Sequence, residues 1–149
     1  MREPDSKTNE VARIIVDSAI YIHRELGNGL LEGAYELCLA HVLRKRGLYV
    51  ERQVPMPIII DGVNLGTPYR LDLLVENCVV VELKSVEKIL PIHEAQLISY
   101  LRLGNFHLGL LLNFHAALMK EGIIRRINPT WNPDIVTLNR KEAKEQSMF

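Results

Sequence analysis

The stretch YRLDLLVENCVVVELKSV, residues 69–86, reads as a β-hairpin that turns at Glu76-Asn77-Cys78. Antiparallel pairing is symmetric about a turn, so with Asn77 at the centre Asp72 lies opposite Glu82 and Arg70 opposite Lys84. Opposed residues share a face, with Cβ atoms roughly 5 Å apart. Side chains alternate between faces, so Leu71, Leu73, Val75, Val79, Val81 and Leu83 are expected to form one apolar face. The other face gathers Asp72, Glu82 and Lys84 at one end. Two carboxylates this close repel unless a cation lies between them. Oxygen ligands of this kind suit Mg2+ or Mn2+. The competing reading is an exposed hairpin end with a cross-strand Glu/Lys pair. Against it, the carboxylates interrupt strongly apolar strands, where charge is costly unless paired or metal-bound.

Around this hairpin the 149-residue chain has the length of one domain with a sizeable core. Its 18 basic and 18 acidic residues cancel, which leaves no global charge footprint for nucleic acid or membrane binding. Any basic surface is local, and the candidates are Arg44-Lys45-Arg46, Lys84 with Lys88, and Arg125-Arg126, each equally readable as solvated surface. Cys38 and Cys78 have no zinc-ligand or C-x-x-C spacing. No apolar run is long enough to span a membrane and no signal peptide is recognisable, so a reduced, cytoplasmic protein is expected.

Upstream, residues 7 to 26 read as an amphipathic helix with Val11, Ile14, Ile15, Ala19, Ile22 and Leu26 on one stripe, stopped by Gly27-Asn28-Gly29. A second helix is expected from Leu30 to Arg46, with Leu31, Ala34, Leu37, Cys38 and Val42 inward. Tyr49 to Ile60 reads as an edge or bulged strand because of Pro55 and Pro57. Asp61-Gly62 is a hairpin turn signal before a strand from Val63 to Glu76. Downstream, Pro91 opens a third helix that Gly104-Asn105 closes. Phe106 to Phe114 has the continuous apolar character of a strand buried on both faces, and Ile123 to Ile127 is a further strand. The order α-α-β-β-β-α-β-β implies an α/β (α+β) domain over residues 1–127, a mixed sheet flanked by helices. Residues 128–149 form a partly irregular extension, frayed from Lys141 to Phe149.

Two helices add polar groups. Glu32 and Tyr35 are neighbours on one helix face. Glu32 also stands in a first turn, where the helix dipole alone favours an acid by a few tenths of a kcal/mol, about 0.3 or more. His93, Gln96 and Tyr100 share one stripe of the third helix, which suits either plain surface or a cleft wall.

The segment Gly29-Leu-Leu-Glu32-Gly-Ala-Tyr35 matches the signature of the GxxExxY family of the PD-(D/E)XK nuclease superfamily. The resemblance continues through YRLDLLVE, VVVELKSVEK, HEAQLISYL and GLLLNF, roughly residues 8 to 127. It implies a restriction-endonuclease-like fold. The divided acidic motif corresponds to Asp72 with Glu82 and Lys84, and the Q-x-x-x-Y of a RecB-like subgroup to Gln96 and Tyr100. The proline that names the superfamily is replaced by Leu71. By this resemblance Asp72, Glu82 and the Leu83 carbonyl would hold Mg2+ or Mn2+, with Glu32 joining through water or at a second site. Lys84 would orient or deprotonate the attacking water, and Gln96 and Tyr100 would position the scissile phosphate. Tyr35, Arg70, Lys88 and His93 are expected to contact the substrate, nucleic acid, with DNA favoured over RNA. A non-catalytic module of the same fold, binding nucleic acid or a partner protein, is the alternative. A metal held for stability alone is a third reading, and a homodimer is an option the sequence leaves open.

Overall fold

Val75 and Val79 close the central hairpin, with the Cys78 N–H donating to the Val75 carbonyl at 3.0 Å. Glu76 and Asn77 take left-handed conformations in the turn (φ 49° and 62°). The computed structural model describes residues 2–135. Two helices come first, α1 (Ser6–Leu26) and α2 (Glu32–Lys45). They are followed by β1 (Val50–Met56), β2 (Ile59–Ile60), β3 (Val63–Asn64), β4 (Tyr69–Val75) and β5 (Val79–Lys84). Helix α3 (Pro91–Gly104), β6 (Leu108–Asn113), a 3-10 turn (Met119–Gly122) and β7 (Ile123–Ile127) complete the order.

The main sheet runs β1-β4-β5-β6-β7. Every pair is antiparallel except β5 with β6, which α3 connects as a crossover. Helices α1 and α2 cover one face, over Leu73, Val75, Val79, Val81 and Leu83 and over Leu108, Leu110 and Leu112 of β6. Helix α3 covers the other, over Leu74, Val80 and Leu111. With helices on both sides, β6 is buried throughout, as its unbroken apolar run predicts.

Four expectations are corrected. The single strand from Val63 to Glu76 is divided at Leu65-Gly66-Thr67-Pro68. Its first part pairs with Ile59–Ile60 in a separate two-stranded arm about the expected Asp61-Gly62 turn. The inward stripe of α2 is Tyr35, Leu39 and Leu43, whereas Leu31 and Leu37 are exposed. That helix is apolar on several faces, so periodicity could not select one. In α1, Leu26 is likewise exposed at the helix end. Finally, Leu71 leaves the expected apolar face and packs on the α3 side with Val54 and Met56.

Residues 128–135 fold back on the end of α3. Asn128 Nδ2 donates to the carbonyls of Leu101 and Phe106, both at 3.1 Å, and Trp131 stacks on His107 with ring centroids 3.8 Å apart. The expectation for Lys141 to Phe149 lies outside the described residues.

The seat of α3 on the sheet depends on Gly109. A Cβ there would stand 2.7 Å from Leu97 Cδ1 and 3.2 Å from Leu101 Cδ2, both on fully buried side chains. Gly109→Ala is therefore expected to lower stability by about 1–3 kcal/mol, the range for overpacking a core. Urea unfolding of parent and variant measures it, and an unchanged midpoint would mean that α3 shifts at no cost.

Candidate active site at the splayed end of the central hairpin

The β4–β5 ladder pairs Leu73 with Val81, Leu74 with Val80 and Val75 with Val79, and then stops. This is the register expected from a turn centred on Asn77. Beyond it the strands splay, and carboxylates take the place of ladder partners. The Asp72 N–H donates to Glu82 Oε1 at 3.1 Å, and the Leu83 N–H donates to Asp72 Oδ2 at 2.9 Å. One oxygen of each carboxylate is thereby committed to backbone, and among the described residues the other receives no backbone N–H. The expected pairing of Arg70 with Lys84 does not form, because the ladder has already ended. Arg70 is exposed and paired with Pro55 of β1 instead.

Glu82 is only 7 % exposed. Burial first, and then the neighbouring Asp72 charge, push its carboxyl well above the usual carboxylate range, while the Lys84 charge pulls the other way. Tyr100, reaching in from α3, is also raised, by burial and then by the charges of Glu82 and Asp72. Asp72, Glu82, Lys84 and Tyr100 therefore share one electrostatic neighbourhood. Among the described residues Lys84 has no ion-pair partner.

Two close carboxylates, one of them buried at an electrostatic cost, suit a divalent cation. Among the described residues no group of three or more His, Cys, Asp or Glu side chains is placed to hold a metal. That still matches Mg2+, which binds through one or two carboxylates and keeps several waters. A strand residue points its N–H and C=O to the same side. Leu83 donates toward β4, so its carbonyl faces the gap where the carboxylates lie.

Glu32 opens α2 and is exposed, and its Oε1 accepts the Ser85 N–H at 3.1 Å, one residue beyond Lys84. Ser85 Oγ in turn donates to the Leu30 carbonyl at 3.1 Å. The start of α2 is thus tied to the end of β5, although Glu32 is not grouped with Asp72 and Glu82 as a metal cluster. Tyr35 is fully buried and stacked on Phe114, with centroids 4.3 Å apart. Its hydroxyl donates to the Gly27 carbonyl at 2.5 Å and accepts the Leu30 N–H at 3.1 Å. That pins the loop presenting Glu32 and leaves Tyr35 no surface for substrate, contrary to the expectation.

His93 Nδ1 accepts the Leu90 N–H at 3.0 Å and so caps the start of α3. Gln96 is exposed and lines a cleft of about 440 Å3 with Tyr69, Tyr100, Ile92 and Leu103. Lys88 is exposed in the loop between β5 and α3. The four arginines among the other basic candidates bond within the fold. Arg44 donates to the Val50 carbonyl, Arg46 to Ser18 and Arg125 to Asn9, and Arg126 pairs with Glu94.

Sequence reading missed Asn113 and Tyr69. Asn113 is buried at the end of β6, accepts the Val86 N–H at 3.1 Å and donates to the Val86 carbonyl at 2.9 Å. It clasps the chain just after Lys84, and its signal was the one polar residue closing an apolar run. Tyr69 tilts against Tyr100 with centroids 5.8 Å apart. Nothing in the local pattern singled it out.

A raised Glu82 carboxyl has a consequence for stability. Between the ordinary glutamate value of 4.5 and its folded value, the native state binds more protons than the unfolded one. Stability therefore falls as pH rises through that window. Glu82→Gln stays neutral throughout and keeps an acceptor for the Asp72 N–H. With chelator present, the variant is expected to be more stable than the parent at pH 7, with the gain shrinking as pH falls toward 4.5 and absent below it. Urea unfolding across pH measures this, and a pH-independent difference would show that Glu82 is not held protonated.

Residues 9–127 match the family profile of the PD-(D/E)XK nuclease superfamily. No curated protein and no solved structure matches the chain. Among the described residues, the three helices and the mixed five-stranded sheet agree with that match. By its fold and by the greater part of its sequence, this chain belongs to the PD-(D/E)XK nuclease superfamily.

Proposed function

We propose that the protein is a Mg2+- or Mn2+-dependent nuclease that hydrolyses phosphodiester bonds of nucleic acid, DNA in preference to RNA. The observation that carries the reading is the replacement of ladder partners by Asp72 and Glu82, with Lys84 at the next same-face position of β5. Asp72, Glu82 and the Leu83 carbonyl hold the cation. Bound there, it supplies Lewis-acid charge and a more acidic water. The Lys84 ammonium orients that water and offsets charge developing on the phosphate. The Tyr100 hydroxyl donates to a phosphate oxygen, and the exposed Gln96 amide lies on the same cleft wall. Glu32 acts through water from the far end of β5, held there by the Ser85 N–H. Arg70, Lys88 and the edge of His93 flank the path of the backbone.

The aromatic pair Tyr69–Tyr100 favours a second reading, a module of this fold that binds single-stranded nucleic acid by stacking without hydrolysis. Calorimetric titration with Mn2+, alongside nuclease assays on single- and double-stranded DNA and RNA, separates the two. Asp72→Asn is expected to abolish most Mn2+ binding, and undiminished affinity would place the cation elsewhere. Lys84→Ala is expected to retain Mn2+ binding while lowering hydrolysis by roughly 100-fold or more, the scale for loss of an acid–base or electrostatic group. Equal rates at saturating metal would remove Lys84 from the chemistry.

A further inference from the structure

Strands β1 and β4 both change phase at one rung. Val50, Leu73 and Val75 point toward α1 and α2, whereas Val54, Met56, Leu71 and Leu74 point toward α3. The pairing register continues unchanged from Arg52↔Leu73 to Val54↔Leu71, so the rung between them is Gln53 opposite Asp72, and it is the one missing from the ladder. Gln53 has φ 52°, a left-handed conformation uncommon for a residue with a side chain. Its Nε2 donates to Glu36 Oε1 at 2.6 Å. Arg52 Nε and Nη2 donate to Glu36 Oε2 at 3.2 and 2.8 Å. Arg52 and Gln53 thus both reach the α2 side, where regular alternation would send them to opposite faces. Glu36 is 6 % exposed and lies one turn beyond Glu32 on the same helix.

We infer that Glu36 and Gln53 are positioning residues for the acidic site: the Glu36 carboxylate holds Gln53 left-handed, which breaks the β1–β4 ladder opposite Asp72 and frees Asp72 to bridge to β5. A regular Gln53 would pair with Asp72 and keep β4 in phase. The Asp72 side chain would then stand off the sheet instead of between the strands, where it accepts the Leu83 N–H. The functional part of this inference rests on the metal-dependent reading above; the geometric part does not.

The test compares Gln53→Ala, Gln53→Gly and Glu36→Gln in the full chain. Glycine adopts positive φ without help, so it separates the backbone conformation from the side-chain contact. In chelator, amide exchange by NMR at Asp72 and Leu83 reports the two carboxylate bonds, with Val80 and Leu110 as internal references. Gln53→Ala is expected to lose protection at Asp72 and Leu83 by about tenfold relative to the references, and Gln53→Gly to recover most of it. Glu36→Gln is expected to fall between parent and Gln53→Ala. Mn2+ affinity should follow the same order, dropping roughly tenfold in Gln53→Ala, the scale for losing a group that orients a ligand. Parent-like exchange at Asp72 and Leu83 in Gln53→Ala would overturn the inference, as would a Gln53→Gly no better than Gln53→Ala. Asp72→Asn is the control for the reading beneath it: if Mn2+ binding survives in that variant the metal assignment fails, while the exchange pattern still decides the positioning role.

Discussion

An antiparallel ladder and a pair of inserted carboxylates compete for the same backbone donors, and the site exists because the carboxylates win beyond Leu73 and Val81. Each side chain that accepts an N–H there does so with one oxygen, in place of a ladder partner. The rest of the molecule holds that gap open without letting it unravel. On one side, β5 is locked in parallel register to β6 over its whole length. On the other, β1 pairs with β4 above and below the missing rung. Removing regular hydrogen bonds from the middle of a sheet is costly unless substitutes are supplied, and here the acids are the substitutes.

The buried acid is the electrostatic counterpart of the same arrangement. Glu82 lies largely out of water and beside a second carboxylate, and both raise its carboxyl above the usual carboxylate range. A divalent ion would invert that balance. Lys84 lies close enough to moderate Glu82 and has no ion-pair partner among the described residues, whereas Arg13, Arg52, Arg125 and Arg126 are all paired. Lys84, Lys88 and Arg70 are the basic side chains on β4, on β5 and in the loop that follows β5, in a chain whose formal charges cancel.

The supports of the site come from both faces of the sheet. Helix α2 delivers Glu32 to the end of β5 and Glu36 to β1 from successive turns, and Tyr35 between them fixes the entry loop. Helix α3 brings Gln96 and Tyr100 from the opposite side and is itself capped by His93. Asn113 closes the far end by clasping Val86. Family membership accords with this fold, and it is the end of the β4–β5 ladder that brings the acidic pair together.

How much of this was legible beforehand differs from element to element. The hairpin register followed from the turn alone, because antiparallel pairing leaves one free parameter and Asn77 set it. The buried strand β6, the crossover helix and the helix ends were equally local in origin, written in runs of apolar residues and in glycine, asparagine and proline. What local pattern could not supply was any choice made by distant partners. The inward face of α2 was decided by Phe114 and the sheet, since the helix offers apolar residues all round. The fate of Tyr35, the structural use of the arginines and the division of the strand after Asn64 also depended on residues far along the chain. Above all, alternation predicted that Leu71 would follow Leu73. The contacts of Arg52 and Gln53 with Glu36, 16 and 17 residues away, accompany the change of phase at that rung. The sequence by itself determined which residues pair across the central turn; the tertiary structure decided where the pairing ends, because a ladder stops only where something outside it offers its backbone a better partner.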